Sequence, residues 1–200
     1  MKLPISVYVE MTPNPNTYKF VCDRYLLSEQ AEPSEYKNTA DCENSSDLAK
    51  SLFGFPFVQS VFIADNFVAI TQNGYVEWLS VQNELRSFIQ NFLSTQEYAV
   101  LQTVQAKTAE PTEKNTEKID LPPSDYDTAI VHLLDEFVRP AVARDGGAID
   151  FVGFDAETGT VHLQMRGACD GCPSASMTLK DGIERLLKSK LDKVQSVVSV

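Results

Sequence analysis

Two hundred residues suffice for one domain or two small ones, and a hydrophobic fraction of 43% supports packed cores without disulfide staples. The net charge of −11, with no basic stripe anywhere, excludes a nucleic-acid binder, which has to neutralise phosphates with clustered Lys and Arg. No apolar run approaches the roughly 20 residues that cross a bilayer, and the first residues have neither signal-peptide nor transit-peptide character, so a cytoplasmic location with no membrane attachment is expected.

Residues 3–10 (LPISVYVE) and 17–22 (TYKFVC) read as strands joined by the proline- and asparagine-rich loop MTPNPN. Residues 26–44 are polar and weakly patterned, with a short strand expected near 36–39. Ser45 or Ser46 can cap a short helix carrying Leu48, Leu52 and Phe53 and ending at Gly54. The apolar runs 58–64 and 67–71, separated only by Asp65 and Asn66, have the spacing of a tight hairpin. After Gly74, Trp78, Val81, Leu85, Phe88, Ile89, Phe92 and Leu93 fall on one face of a helix that should lie on the sheet.

The character changes over residues 99–123, where KTAEPTEKNTEKIDLPP offers almost no large apolar side chain. Such a stretch cannot bury enough surface to offset its ordering entropy and reads as a flexible linker. Ser124, with Asp127 three residues on, starts a helix bearing Ile130, Leu133, Leu134, Phe137, Val138, Ala141 and Val142, in which Pro140 should cause a kink. Asp145-Gly146-Gly147 ends it; strands follow over 148–155 (AIDFVGFD) and 160–165, then a helix and a closing strand over 194–200. The expected fold is α+β: two small two-layer domains, residues 1–98 and 124–200, each a small sheet with two helices, joined by the linker 99–123.

Two of the four cysteines, Cys169 and Cys172, stand in the segment GACDGCPSAS between the strand TVHLQM and an apolar pattern of helical spacing, Leu179, Ile183, Leu186, Leu187. Pro173 suits a first helical position. The thiols therefore sit at a helix N-terminus, where free N–H groups and the dipole favour the thiolate, the nucleophilic and metal-binding form. Three chemistries use such a pair. A dithiol oxidoreductase or redox sensor is one, although only 28 residues follow Cys172, without the later cis-proline of a thioredoxin-like fold. A one-chain zinc site is another, but it wants four ligands, and the histidines, His132 and His162, read as satisfied or surface residues. The third is sharing: two copies of the loop bring the four thiolates that a [4Fe–4S] or [2Fe–2S] cluster requires. Cys22 and Cys42, twenty residues apart with no surrounding motif, read as ordinary cysteines.

From Ile130 to Val200 the chain closely resembles the C-terminal domain of NifU-like (Nfu-type) iron–sulfur cluster proteins, through VRPAVARDGGAIDFVGFD, VHLQMRGACDGCPSASMTLKDGIERLL and VQSVVSV. MTPNPNTYKFV and LAKSLFGFPFVQSVFIADNFVAIT are similar to the N-terminal domain of the two-domain group, with Ser46-Asp47 where that group commonly has Ser-Pro. The resemblance implies a non-enzymatic carrier or scaffold that binds a [4Fe–4S] cluster between two protomers of a homodimer. Cys169 and Cys172 would be the ligands. The cluster would come from the assembly machinery and pass to apo iron–sulfur client proteins. The dithiol oxidoreductase or redox sensor stands as the alternative, and Asp170 between the thiols would tune the cluster.

Overall fold

The computed structural model describes residues 4–29, 31–101, 124, 126–170 and 173–200, without the side chains of residues 173–176. The chain falls into two compact units, Met1–Lys107 and Thr108–Val200. Both are α+β, as the element pattern predicts.

The first unit holds β1 (Val7–Met11), β2 (Thr17–Cys22), β3 (Ser34–Tyr36), α1 (Asp47–Leu52), β4 (Val58–Ala64), β5 (Phe67–Gln72) and α2 (Trp78–Leu93). The strands form one antiparallel sheet in the order β1-β2-β5-β4-β3. The β4–β5 hairpin turns through Asp65 and Asn66, with Asp65 at a φ of 34°. On α2 the apolar stripe buries Trp78, Leu85, Ile89 and Leu93, and Phe88 meets Phe55 edge-to-face at 5.3 Å. Ser46 caps α1 by accepting from the Ala49 N–H (3.1 Å).

Three details depart from expectation. β3 ends at Tyr36, because the Asp41 carboxylate takes the N–H groups of Lys37 (2.8 Å) and Asn38 (3.2 Å) and turns the chain. β1 starts at Val7, behind an Asp23 carboxylate that accepts from the Ser6 N–H (3.0 Å). Residues 99–101 (Ala-Val-Leu), assigned to the linker because three residues are too few to show a period, are packed on the first unit. Ala99 donates to the Leu26 carbonyl (2.7 Å), Leu101 to that of Ser45 (3.1 Å), and Val100 is fully buried. The remainder of the expected linker lies outside the described residues.

The second unit runs α3 (Asp127–Leu133), a π-helical turn (Leu134–Val138), α4 (Arg139–Arg144), β6 (Gly147–Asp155), β7 (Thr160–Gly167), α5 (Pro173–Lys190) and β8 (Ser196–Ser199). At its start Asp127 reaches back to the Ser124 N–H (3.1 Å), one half of a capping box. Pro140 has no N–H for the carbonyl four residues back, and its ring crowds that carbonyl. The wider π turn just before it absorbs the mismatch and keeps α3 and α4 continuous, so the kink takes this form.

β7 is the central strand, antiparallel to β6 and parallel to β8. A parallel neighbour needs a crossover, and α5 supplies it. The Gly159 carbonyl (φ 70°) receives the N–H groups of Gln195 (2.7 Å) and Ser196 (3.2 Å), while Glu184 of α5 accepts from Val197 N–H (3.1 Å). The core lies between the sheet and the helices, with Ile130, Leu134, Leu163, Ile183 and Leu187 nearly inaccessible.

Candidate functional site

The cysteine loop is positioned by the end of β7 and the start of β6, which lie side by side as Gly147 pairs with Gly167. Gly167 has a φ of 66°, a left-handed conformation that suits glycine, and its carbonyl accepts from the Asp170 N–H (3.0 Å) to close a tight turn. Across from it, Gly146 (φ 84°) ends the preceding helix and accepts from the Ala168 N–H (3.1 Å). Residues 168 and 170 are thus tied to backbone on either side of Cys169.

Cys169 itself is only 8% exposed and packs as a member of the hydrophobic core. A thiol at the start of a helix has no general need to be buried in this way. The reason is Gly147: a Cβ built there would lie 2.6 Å from Cys169 Sγ and 2.8 Å from the Arg166 carbonyl oxygen. The sequence reading took Gly146-Gly147 as a turn signal and missed this contact. Its one trace in the sequence is a second glycine where the turn needs only the first. Beside the loop, Arg166 pairs with Asp150 (2.7 Å). Asp170 is exposed, and Cys172 with Gly171 lies outside the described residues. α5 begins at Pro173, so the loop does lead into a helix N-terminus.

Among the described residues no group of three or more His, Cys, Asp or Glu side chains could hold a metal ion. His132 is exposed on α3 beside Glu136 (3.7 Å), and His162 lies mid-strand in β7, opposite Gly153 and Val198. Neither is brought to Cys169 as a third ligand. A single chain's described residues therefore offer a fraction of a coordination sphere, with soft sulfur as its donor.

The other cysteines are elsewhere, in the first unit. Burial, reinforced by neighbouring Asp23 against the opposing Arg24, pushes the Cys22 thiol up to about 12. Burial and Asp41, opposed by Lys50, push Cys42 up to about 11, and its Sγ donates to the Asn38 carbonyl (3.4 Å). Both stay protonated thiols near neutral pH, poor nucleophiles and poor ligands.

Comparison with known proteins meets this geometry at both units. Residues 7–96 match the family described as scaffold protein Nfu/NifU N terminal, and residues 130–198 match the NifU-like domain. The chain belongs to the Nfu/NifU family. A NifU-like mitochondrial protein of Saccharomyces cerevisiae is 36% identical over 199 residues, covering 94% of this chain and 78% of that protein. A Drosophila erecta protein named NFU1 iron-sulfur cluster scaffold homolog, mitochondrial, is 33% identical over 213 residues, covering all of this chain and 69% of the relative. The solution structure of the S. cerevisiae NifU-like protein aligns at 29% identity and a TM-score of 0.43, over 48% of this chain and 84% of that one.

These names overturn the cytoplasmic expectation, since the S. cerevisiae and D. erecta relatives are both named mitochondrial, which points to that compartment. The expectation was read from composition, and the composition of a folded core carries no address. No helix among the described residues is long and apolar enough to cross a membrane.

Proposed function

We propose that this chain is an iron–sulfur cluster scaffold and carrier, not an enzyme. Two protomers hold a [4Fe–4S] cluster as cargo between their loops and release it to apo-proteins. Cys169 and Cys172 supply two thiolates per chain. A four-iron cluster needs one external ligand on each iron, so a second copy must supply the other two.

The observation that carries this reading is the poverty of the site within one chain. Cys169 stands at a strand–helix turn with no third His, Cys, Asp or Glu ligand gathered to it among the described residues. A half-site of soft donors suits a cluster completed by symmetry, and a cluster held at a shared edge suits hand-over. The name of the Drosophila relative, an iron–sulfur cluster scaffold homolog, agrees with it. The same chemistry makes apo iron–sulfur proteins the recipients and the cluster-building machinery the source, with the first unit, extended to residue 101, as a separate domain.

Anaerobic reconstitution with iron and sulfide tests this, read by absorption, Mössbauer spectroscopy and mass in solution. The expected result is about one four-iron cluster per dimer. Cys169→Ala and Cys172→Ala each abolish it, while Cys22→Ala and Cys42→Ala leave it in place. A cluster retained by Cys169→Ala, or a fully loaded monomer, defeats the proposal. The dithiol oxidoreductase reading gains no support from a Cys169 that is 8% exposed, because an attacking thiol needs access.

A further inference from the structure

We propose that Gly147 is a positioning residue for Cys169: its missing Cβ creates an interior seat that keeps this thiol out of solvent while the protein is empty. The inference rests on the reading of Cys169 as a cluster ligand and adds to it a second position for the same sulfur.

Three observations converge. First, Gly147 is not required by backbone conformation. Gly146 and Gly167 have φ of 84° and 66°, whereas Gly147 lies outside the left-handed region that reserves a position for glycine. What excludes a side chain is space, because a Cβ would meet Cys169 Sγ at 2.6 Å, the Arg166 carbonyl oxygen at 2.8 Å and Cys169 Cβ at 3.2 Å. Second, the sulfur in that space is shielded, since Cys169 is 8% exposed and packed into the core of its unit. Third, the backbone on either side of the seat is tied, with the Ala168 N–H bonded to the Gly146 carbonyl and the Asp170 N–H to the Gly167 carbonyl.

A carrier spends part of each cycle empty, and an exposed thiol is then open to oxidants and electrophiles in proportion to its access. With the sulfur turned onto Gly147 that access is low. Binding a cluster shared with a second protomer requires it to turn outward. A methyl group at position 147 fills the space the sulfur occupies and drives it outward, while its contact with the Arg166 carbonyl oxygen has to be relieved by a small shift of backbone.

The test uses the full-length apo chain in a Cys172→Ser background, so that the loop carries a single thiol. The rate of iodoacetamide alkylation at Cys169 is followed by peptide mass spectrometry, with Cys22 as an internal slow reference. Adding Gly147→Ala is expected to speed alkylation at least about fivefold, in keeping with the dependence of thiol reactivity on access. Gly159→Ala supplies the control for general destabilisation. It crowds the Lys193 carbonyl at a φ of 70°, in the same unit and away from Cys169, and is expected to leave the rate near that of the parent. An unchanged rate in Gly147→Ala overturns the proposal, as does an equal acceleration in Gly159→Ala.

If Gly147→Ala melts too low to assay, Cys169→Ala decides in its place. Removing Sγ is expected to recover part of the lost melting temperature, and no recovery means that the Arg166 carbonyl, not the thiol, excludes a side chain. Failure of the parent chain to take up a cluster would sink the scaffold reading, while the alkylation comparison would still report on the seat.

Discussion

Gly182 lies inside α5 with open space where a Cβ would be, the reverse of Gly147. An exposed glycine in a helix interior leaves the unfolded chain more freedom than alanine does. Gly182→Ala should therefore stabilise the second unit by about 0.5–1 kcal/mol, read from its denaturant midpoint. Loss of that gain would mean that the face carrying Gly182 is covered. A second prediction at this scale concerns Glu184. Its hydrogen bond from Lys188 (2.6 Å), and then the one from the Val197 N–H, hold its carboxyl below the ordinary 4.5. A carboxylate with a depressed folded pKa contributes stability above its unfolded value, and that contribution is lost as pH falls through the folded one. Glu184→Gln should lower stability at neutral pH and flatten its decline below about pH 4.5, as seen in melts across that range. At the residue scale the sequence was informative where chemistry is local. The cysteine loop is legible through the motif around it, GACDGCP with its flanking segments, and Cys22 and Cys42, which carry no such motif, lie buried in the core of the first unit. It was uninformative about Gly147, whose constraint comes from a residue 22 positions away brought alongside by the β6–β7 pairing.

Ser46 joins two elements that the sequence presents as unrelated. Its hydroxyl accepts from the Ala49 N–H to cap α1 and donates to the Ala99 carbonyl (2.7 Å), tying residues 99–101 to the first unit. Ser46→Ala removes a cap and leaves a buried carbonyl unmatched, so it should cost about 2 kcal/mol of first-unit stability and speed hydrogen exchange at Leu101. Restoration by Thr but not by Val would assign the effect to the hydroxyl. The elements best read in advance were those with a single period and clear punctuation: the β4–β5 hairpin with its Asp65-Asn66 turn, and α2 with its apolar stripe. β3 was misplaced because a side chain, the Asp41 carboxylate, turns the strand, and periodicity does not register that. Residues 99–101 were given to the linker because three residues hold no period, and their place is set by partners at positions 26 and 45.

At the scale of the molecule, two α+β units and their family were within reach of sequence because each unit has its own apolar pattern and the second has an unusual cysteine loop. Location was out of reach, since no physical property of a folded core depends on the compartment it is sent to. The shared-cluster proposal also belongs to this scale, because it requires two chains. Dilution should therefore strip iron from the loaded protein, with loss of colour and loss of dimer mass occurring together. A loaded species that keeps its iron at concentrations where it sediments as one chain would contradict it.

The arrangement of β7 has a dynamic consequence. It is bonded along both edges, to β6 over its whole length and to β8 over its first half, and the cysteine loop leaves directly from its end. Amides in Thr160–Leu163 should be among the slowest in the second unit to exchange with deuterium, with protection decaying toward residue 170 within a few positions. The strand from which Cys169 departs is thereby the most firmly held in the second unit's sheet.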